Sequence, residues 1–171
     1  MQASFIVTFI GDDRPGLVER LSSTIEHNGG NWSESRLSQL AGTFAGLILV
    51  SLPEERAAQL ETDLRSLSSS GLSVRVTPCS EGADVPPGRD IRLSIMGPDR
   101  HGIVREISHA LAQRQINVVE MDSAVHPAAM SSEMIFQAHI QARIPENSDM
   151  GDLSDSLDDI ANAMTLEIDL E

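Results

Sequence analysis

Apolar positions along the chain follow two periods, and the switches between them predict its elements. Residues 5–10 (Phe-Ile-Val-Thr-Phe-Ile) and 91–96 (Ile-Arg-Leu-Ser-Ile-Met) are strand-like, and each run stops at a glycine, Gly11 or Gly97. A spacing of four comes next: Leu17, Leu21 and Ile25 form one apolar stripe, and Ile103, Ile107 and Leu111 form another, as on a helix face. Gly29-Gly30 ends the first helix, and hairpins are predicted to follow, with returning strands at 43–52 and 133–144. Second helical stripes run through Ala57, Leu60, Leu64 and Leu67, and through Met150, Leu153, Leu157 and Ile160. Residues 72–77 and 165–170 read as closing strands. The order is β-α-β-β-α-β twice, an α+β chain of two ferredoxin-like modules with helices on one face of an antiparallel sheet.

The two halves also repeat in residue identity. Residues 11–36 align without a gap to 97–122 at an offset of 86, with Gly11/Gly97, Asp13/Asp99, Arg14/Arg100, Gly16/Gly102, Val18/Val104 and Asn31/Asn117 among the identical pairs. Phe44, Ile48 and Pro53 match Phe136, Ile140 and Pro145 at an offset of 92, so the second copy carries about six extra residues near His126-Pro127-Ala128-Ala129. Between the copies, Ser80-Glu81-Gly82-Ala83-Asp84-Val85-Pro86-Pro87-Gly88 has linker composition. The expected organisation is a first module at 1–79, a linker at 80–89 and a second module at 90–171.

The predicted sheet faces differ between the copies. Residues 134–144 alternate apolar with polar, as expected when one face meets helices and the other meets water. In the first copy, if Phe5, Val7 and Phe9 face the helices, then Ile6, Ile10, Leu47 and Leu49 point away. Such a cluster usually marks a contact surface, the alternative being a few scattered surface aliphatics. The expectation is that another chain, as in a homo-oligomer, or the neighbouring module covers it.

Composition narrows the function. Of 171 residues, 12 are Lys or Arg and 26 are Asp or Glu, giving a formal charge of −14. That charge repels phosphate backbones, and one Trp, four Phe and no Tyr leave little for base stacking, so direct nucleic-acid binding is not expected. No long apolar run suggests a membrane span, and Met1-Gln2-Ala3-Ser4 lacks a basic patch, so the expectation is a cytoplasmic protein without membrane contact. Cys79 is the single cysteine, and the five histidines are dispersed without ligand spacing, so neither a structural metal nor a cofactor is expected. Ser22, Ser108 and Ser68-Ser69-Ser70 lack a nucleophile context, and the expectation is a non-enzyme. The acidic series Asp149, Asp152, Asp155, Asp158 and Asp159 reads as a solvated helix face. Met121, Met130 and Met134 read as adaptable packing.

The candidate chemistry lies in the repeated loop Gly-x-Asp-Arg-x-Gly-[Leu/Ile]-Val between strand and helix. Asp13 or Asp99 can cap the helix, Gly16 or Gly102 allows close approach to the backbone, and the helix N-terminus attracts an anion such as a carboxylate, with Arg14 or Arg100 adding a bidentate contact. The spacing fits neither a dinucleotide fingerprint nor a phosphate loop. The loops GDDRPGLV and GPDRHGIV, in tandem β-α-β-β-α-β units, resemble those of ACT domains, in particular the paired ACT domains of the glycine cleavage system transcriptional repressor family. The resemblance implies amino-acid or metabolite binding at an interface between modules. It implicates Asp13, Arg14, Pro15, Gly16 and Leu17 with Asn31, and Asp99, Arg100, His101, Gly102 and Ile103 with Asn117. It further implies a protein partner that is itself a DNA-binding regulator.

Two departures from symmetry stand out: Pro15 is answered by His101, and Gly29-Gly30 by Gln115-Ile116. The two sites therefore need not be equivalent. The expected role is a small-molecule sensor in amino-acid metabolism. Its rivals are an interaction adaptor without ligand and a regulatory subunit of a separate enzyme.

Overall fold

The computed structural model describes residues 2–79, 87–129 and 132–171. The chain divides into two units, residues 1–83 and 84–171. In the first, the order is β1 (Gln2–Asp12), α1 (Leu17–His27), β2 (Asn31–Leu40), β3 (Thr43–Pro53), α2 (Ala57–Ser66) and β4 (Ser73–Pro78), with 3-10 turns on either side of α2. The second repeats it with β5 (Gly88–Pro98), α3 (Ile103–Gln113), β6 (Asn117–Pro127), β7 (Met134–Pro145), α4 (Met150–Met164) and β8 (Glu167–Leu170). Each sheet is antiparallel, in the order β2-β3-β1-β4 and β6-β7-β5-β8. Both units are thus split β-α-β modules. Most of the linker expected at 80–89 lies outside the described residues, and β5 begins within it, at Gly88.

The stripes become the cores. In the first unit Phe5, Val7 and Phe9 of β1 and Ile48, Val50 and Leu52 of β3 meet Leu21 and Ile25 of α1 and Leu60 and Leu64 of α2, all buried. Each such side chain contributes about 1.5–3 kcal/mol by leaving water. The second core has the same plan, with Ile107 and Leu111 of α3 and Leu153 and Leu157 of α4. Phe136, Ala138, Ile140, Ala142 and Ile144 are buried as the alternation required, whereas Met134, the first residue of β7, is exposed. Met121 packs against the core, and Met130 lies outside the described residues.

Polar ties fix the helix pairs. Asn28, the buried polar residue at the end of α1, donates from Nδ2 to the Thr24 carbonyl and to Asp63 Oδ2 of α2, both at 2.9 Å. The bonds from Asn28 and then Gln59 hold the Asp63 carboxyl below its ordinary range. In the second unit Arg114 joins α3 to α4 through Asp152, at 2.8 Å. Asp149, from the acidic series, caps α4 by accepting from Gly151 N and Asp152 N.

The six additional residues of the second copy lengthen a hairpin. β2 and β3 are joined by Ala41-Gly42, both at positive φ, whereas residues 128–133 join β6 to β7. On the outer face of the first sheet, Ile6 and Leu49 are half-buried, while Ile10 and Leu47 are 53% and 50% exposed.

Candidate functional site

β1 and β5 both end against the start of their unit's last strand. At Gly11 an added Cβ would lie 2.9 Å from the Gly71 carbonyl oxygen, and at Gly97 it would lie 2.7 Å from that of Thr165. Close backbone approach therefore explains this glycine pair. The chain then turns into the helix, and the amide of the repeated aspartate anchors the turn to the adjacent hairpin: Asp13 N donates to Gly42 O at 2.9 Å, and Asp99 N to Met134 O at 2.8 Å.

Neither aspartate caps its helix. The capping positions are Gly16 and Gly102, left-handed at φ 85 and 97, and neither makes a side-chain capping bond. The aspartate sits too early in the turn, its main chain already committed to the hairpin. Positive φ is what these positions require of glycine. No atom lies within 4 Å of where either Cβ would be, so the space above both bends is open. No side chain caps either helix start; at α1 the Leu17 amide turns back to the Arg14 carbonyl at 3.4 Å, and the helical bonds begin with Arg20 N to Gly16 O and Glu106 N to Gly102 O.

Beside the first bend lies a hollow of about 140 Å³ lined by Arg14, Pro15, Leu17, Arg20, Leu67 and Leu72. At roughly 30 Å³ of liquid per water, that holds about five water-sized groups, the size of the smallest amino acids. Its lining thus combines three leucines with two arginines. Arg14 donates to Asp12 at 2.9 Å in an exposed pair, and such pairs are worth about 0–1 kcal/mol, little resistance to a competing carboxylate. Arg20 has no ion-pair partner among the described residues. Arg20, Leu67 and Leu72 were not among the residues indicated by sequence. Arg20 sits one turn into α1, and the leucines arrive from beyond α2.

The second bend differs chemically. Asp12 is answered by Pro98, so Arg100 has no ion-pair partner among the described residues. Arg20 is answered by Glu106, which pairs with Arg105, and Leu17 by Ile103, which is buried. Exposed Asp99, Arg100 and His101 thus surround a bend whose neighbouring helix position is anionic rather than cationic.

Asn31 and Asn117 are not brought to the bends of their own units. Asn31 pairs with Ser51, which in turn pairs with Ser4 near the start of β1, while Gly16 lies past the end of that strand. The eleven residues of α1 separate them by roughly 15 Å. Asn117 is placed the same way, opposite Arg143, and opens with Gln115, Val118, Val119 and Pro145 onto a hollow of about 600 Å³. There Arg143 is fastened to Asp90 by two bonds of 2.7 and 3.1 Å, which hold that carboxyl below its ordinary range. No metal-binding group of three or more His, Cys, Asp or Glu occurs among the described residues. None of the described helices is long and apolar enough to cross a membrane.

Residues 3–77 and 91–147 each match the ACT domain family. No curated protein sequence is significantly similar to the chain. Among solved structures, a protein of unknown function from Galdieria sulphuraria is 28% identical, with a TM-score of 0.86 over 100% of this chain and 98% of the other. A candidate glycine cleavage system transcriptional repressor is 20% identical, with a TM-score of 0.72 over 100% and 97%. The latter likeness is one of fold.

Proposed function

Because the chain belongs to the ACT domain family, with two such domains in tandem, we propose that it is a non-enzymatic regulatory protein that senses a small amino acid and modulates a protein partner. The observation that carries this reading is the hollow at the first bend, which Arg14 and Arg20 line together with three leucines at a helix start that no side chain caps. In a chain of charge −14, paired guanidinium groups beside a hollow of this size suit a carboxylate. Asp13, Pro15, Gly16 and Leu17 shape that site. The second bend, with Asp99, Arg100, His101, Gly102 and Ile103, is the weaker acceptor because Glu106 stands where Arg20 does. Asn31 and Asn117 contribute only where a bend of another module reaches their end of the sheet.

The partner in this reading is a cytoplasmic DNA-binding regulator of amino-acid metabolism, with glycine cleavage as the process controlled. The loop resemblance supports that choice, and the acidic charge leaves DNA contact to the partner. Ligand binding changes partner affinity through linkage, with a coupling on the order of 1–3 kcal/mol. A ligand-free adaptor is the second reading, favoured by the exposed Ile10 and Leu47.

Titration calorimetry of the full chain with glycine, serine and alanine tests the sensor. The expected result is one site per chain for at least one of them, weakened about tenfold by Arg20→Ala, the loss of one charged hydrogen bond. Absence of heat and of thermal shift with every small amino acid overturns the sensing role. Retention of partner binding in the Arg14→Ala, Arg100→Ala double variant, without any metabolite response in the parent chain, points to the adaptor.

A further inference from the structure

The outer sheet faces of the two units carry opposite charge at equivalent positions. Directly opposed residues of antiparallel strands lie on the same face, so register defines rows across each sheet. In the first sheet one row runs Arg36, Leu47, Thr8, Arg75. Its counterpart in the second runs Asp122, His139, Ser94, Asp169. Both ends of the row are basic in one copy and acidic in the other.

The neighbouring rows extend the contrast. Beside the first lie Glu34, Leu49, Ile6 and Thr77, against Glu120, Gln141, Arg92 and Glu171, the last placed by paired backbone bonds with Arg92. On the other side Ile10 and Ser73 answer Met96 and Glu167. Across these rows the first face holds two arginines and one glutamate around an aliphatic centre, a net +1. The second holds five carboxylates and one arginine, a net −4. In a chain of charge −14, a face that balances Arg36 and Arg75 against Glu34 and, at its edge, Asp12, with Ile10 and Leu47 exposed, is an exception that a partner explains.

We propose that the outer face of the first sheet docks on the outer face of the second sheet of another copy of this chain. Face-to-face packing of twisted sheets brings such surfaces to about 10 Å and lets their side chains interdigitate. The match tolerates either strand direction, since both ends of each central row carry the same sign. Ile6, Ile10, Leu47 and Leu49 leave water on docking, Arg75 meets carboxylates in place of solvent, and Arg36, paired on its own face with Glu34 at 3.0 Å, gains a second carboxylate. The contact is between unlike faces, so it closes as a dimer when two such contacts form reciprocally and otherwise continues to higher order.

Sedimentation velocity on the full chain tests this, with circular dichroism confirming that each variant is folded. The expected result is concentration-dependent association that weakens as salt rises from 0.05 to 0.5 M on the Debye scale of roughly 10 Å at 0.1 M. Arg36→Glu with Arg75→Glu, or Asp122→Arg with Asp169→Arg, weakens it at least ~10-fold, and all four together restore it. In a Cys79→Ser background, a Leu47→Cys chain mixed with a His139→Cys chain and treated with diamide, which takes up the two electrons and two protons, forms a disulfide between the two chains. A monomer at every concentration and low salt overturns the proposal. So does failure of the fourfold variant to recover, or a Leu47→Cys chain that cross-links only to itself, which would pair like faces.

Discussion

Two glycine pairs recur in both copies, yet geometry assigns them different reasons, and substitution separates those reasons. Gly16 has φ 85 with nothing within 4 Å of where a Cβ would sit, so alanine there meets no atom and only the left-handed backbone resists it. That costs on the order of 1–2 kcal/mol, and asparagine, which tolerates the region, recovers much of it. Gly11 is the converse: its Cβ would fall 2.9 Å from Gly71 O and 3.1 Å from Leu72 Cδ1. Alanine must displace backbone at a cost of about 1–3 kcal/mol, and asparagine, being larger, recovers nothing. Trp32, the single tryptophan, packs against the first core, so its fluorescence follows unfolding of the first unit alone. With a urea slope of about 1–3 kcal/mol/M, Gly16→Ala lowers the midpoint by roughly 0.3–2 M. Gly16→Asn lies close to the parent, and Gly11→Asn falls below Gly11→Ala. If Gly16→Ala is neutral, or if asparagine behaves alike at both sites, the distinction between conformational and steric need is wrong.

Two further outcomes follow from the first unit. Asn28→Ala removes both 2.9 Å bonds of a buried carboxamide and is expected to cost about 1–3 kcal/mol, read as a lower urea midpoint in the same fluorescence assay. Asp63 has its folded pKa lowered by Asn28 and Gln59, so its stabilising effect is present above the ordinary carboxylate range near pH 4 and is lost as pH falls through the lowered value. Midpoints measured from pH 6 down to pH 3 should fall, and Asp63→Asn should reduce that slope; an unchanged slope refutes the assignment.

The duplicated β-α-β-β-α-β order, the core stripes and the sites of the two bends were legible in sequence because period, glycine and strand length are local properties. Ile107 and Leu153 had to face a sheet whichever way the modules closed. The capping role read for Asp13 and Asp99 failed because a hairpin distant in sequence, through Gly42 or Met134, claims the main chain just before the helix. Arg20 and its counterpart Glu106 were visible as an aligned pair. That Arg20 joins Arg14 over Leu67 and Leu72 depends on α1 and the segment after α2 packing side by side, which no local pattern encodes. The separation of Asn31 from Gly16 follows from α1 running back along the sheet. The opposed rows of charge exist only once strand register sets Arg36 beside Leu47 and Asp122 beside His139. Sequence alone determined which residues are apolar, which turn and how often the pattern repeats. Tertiary structure decided which charges share a surface, because neighbours across strands are set by hydrogen-bond register rather than by distance along the chain.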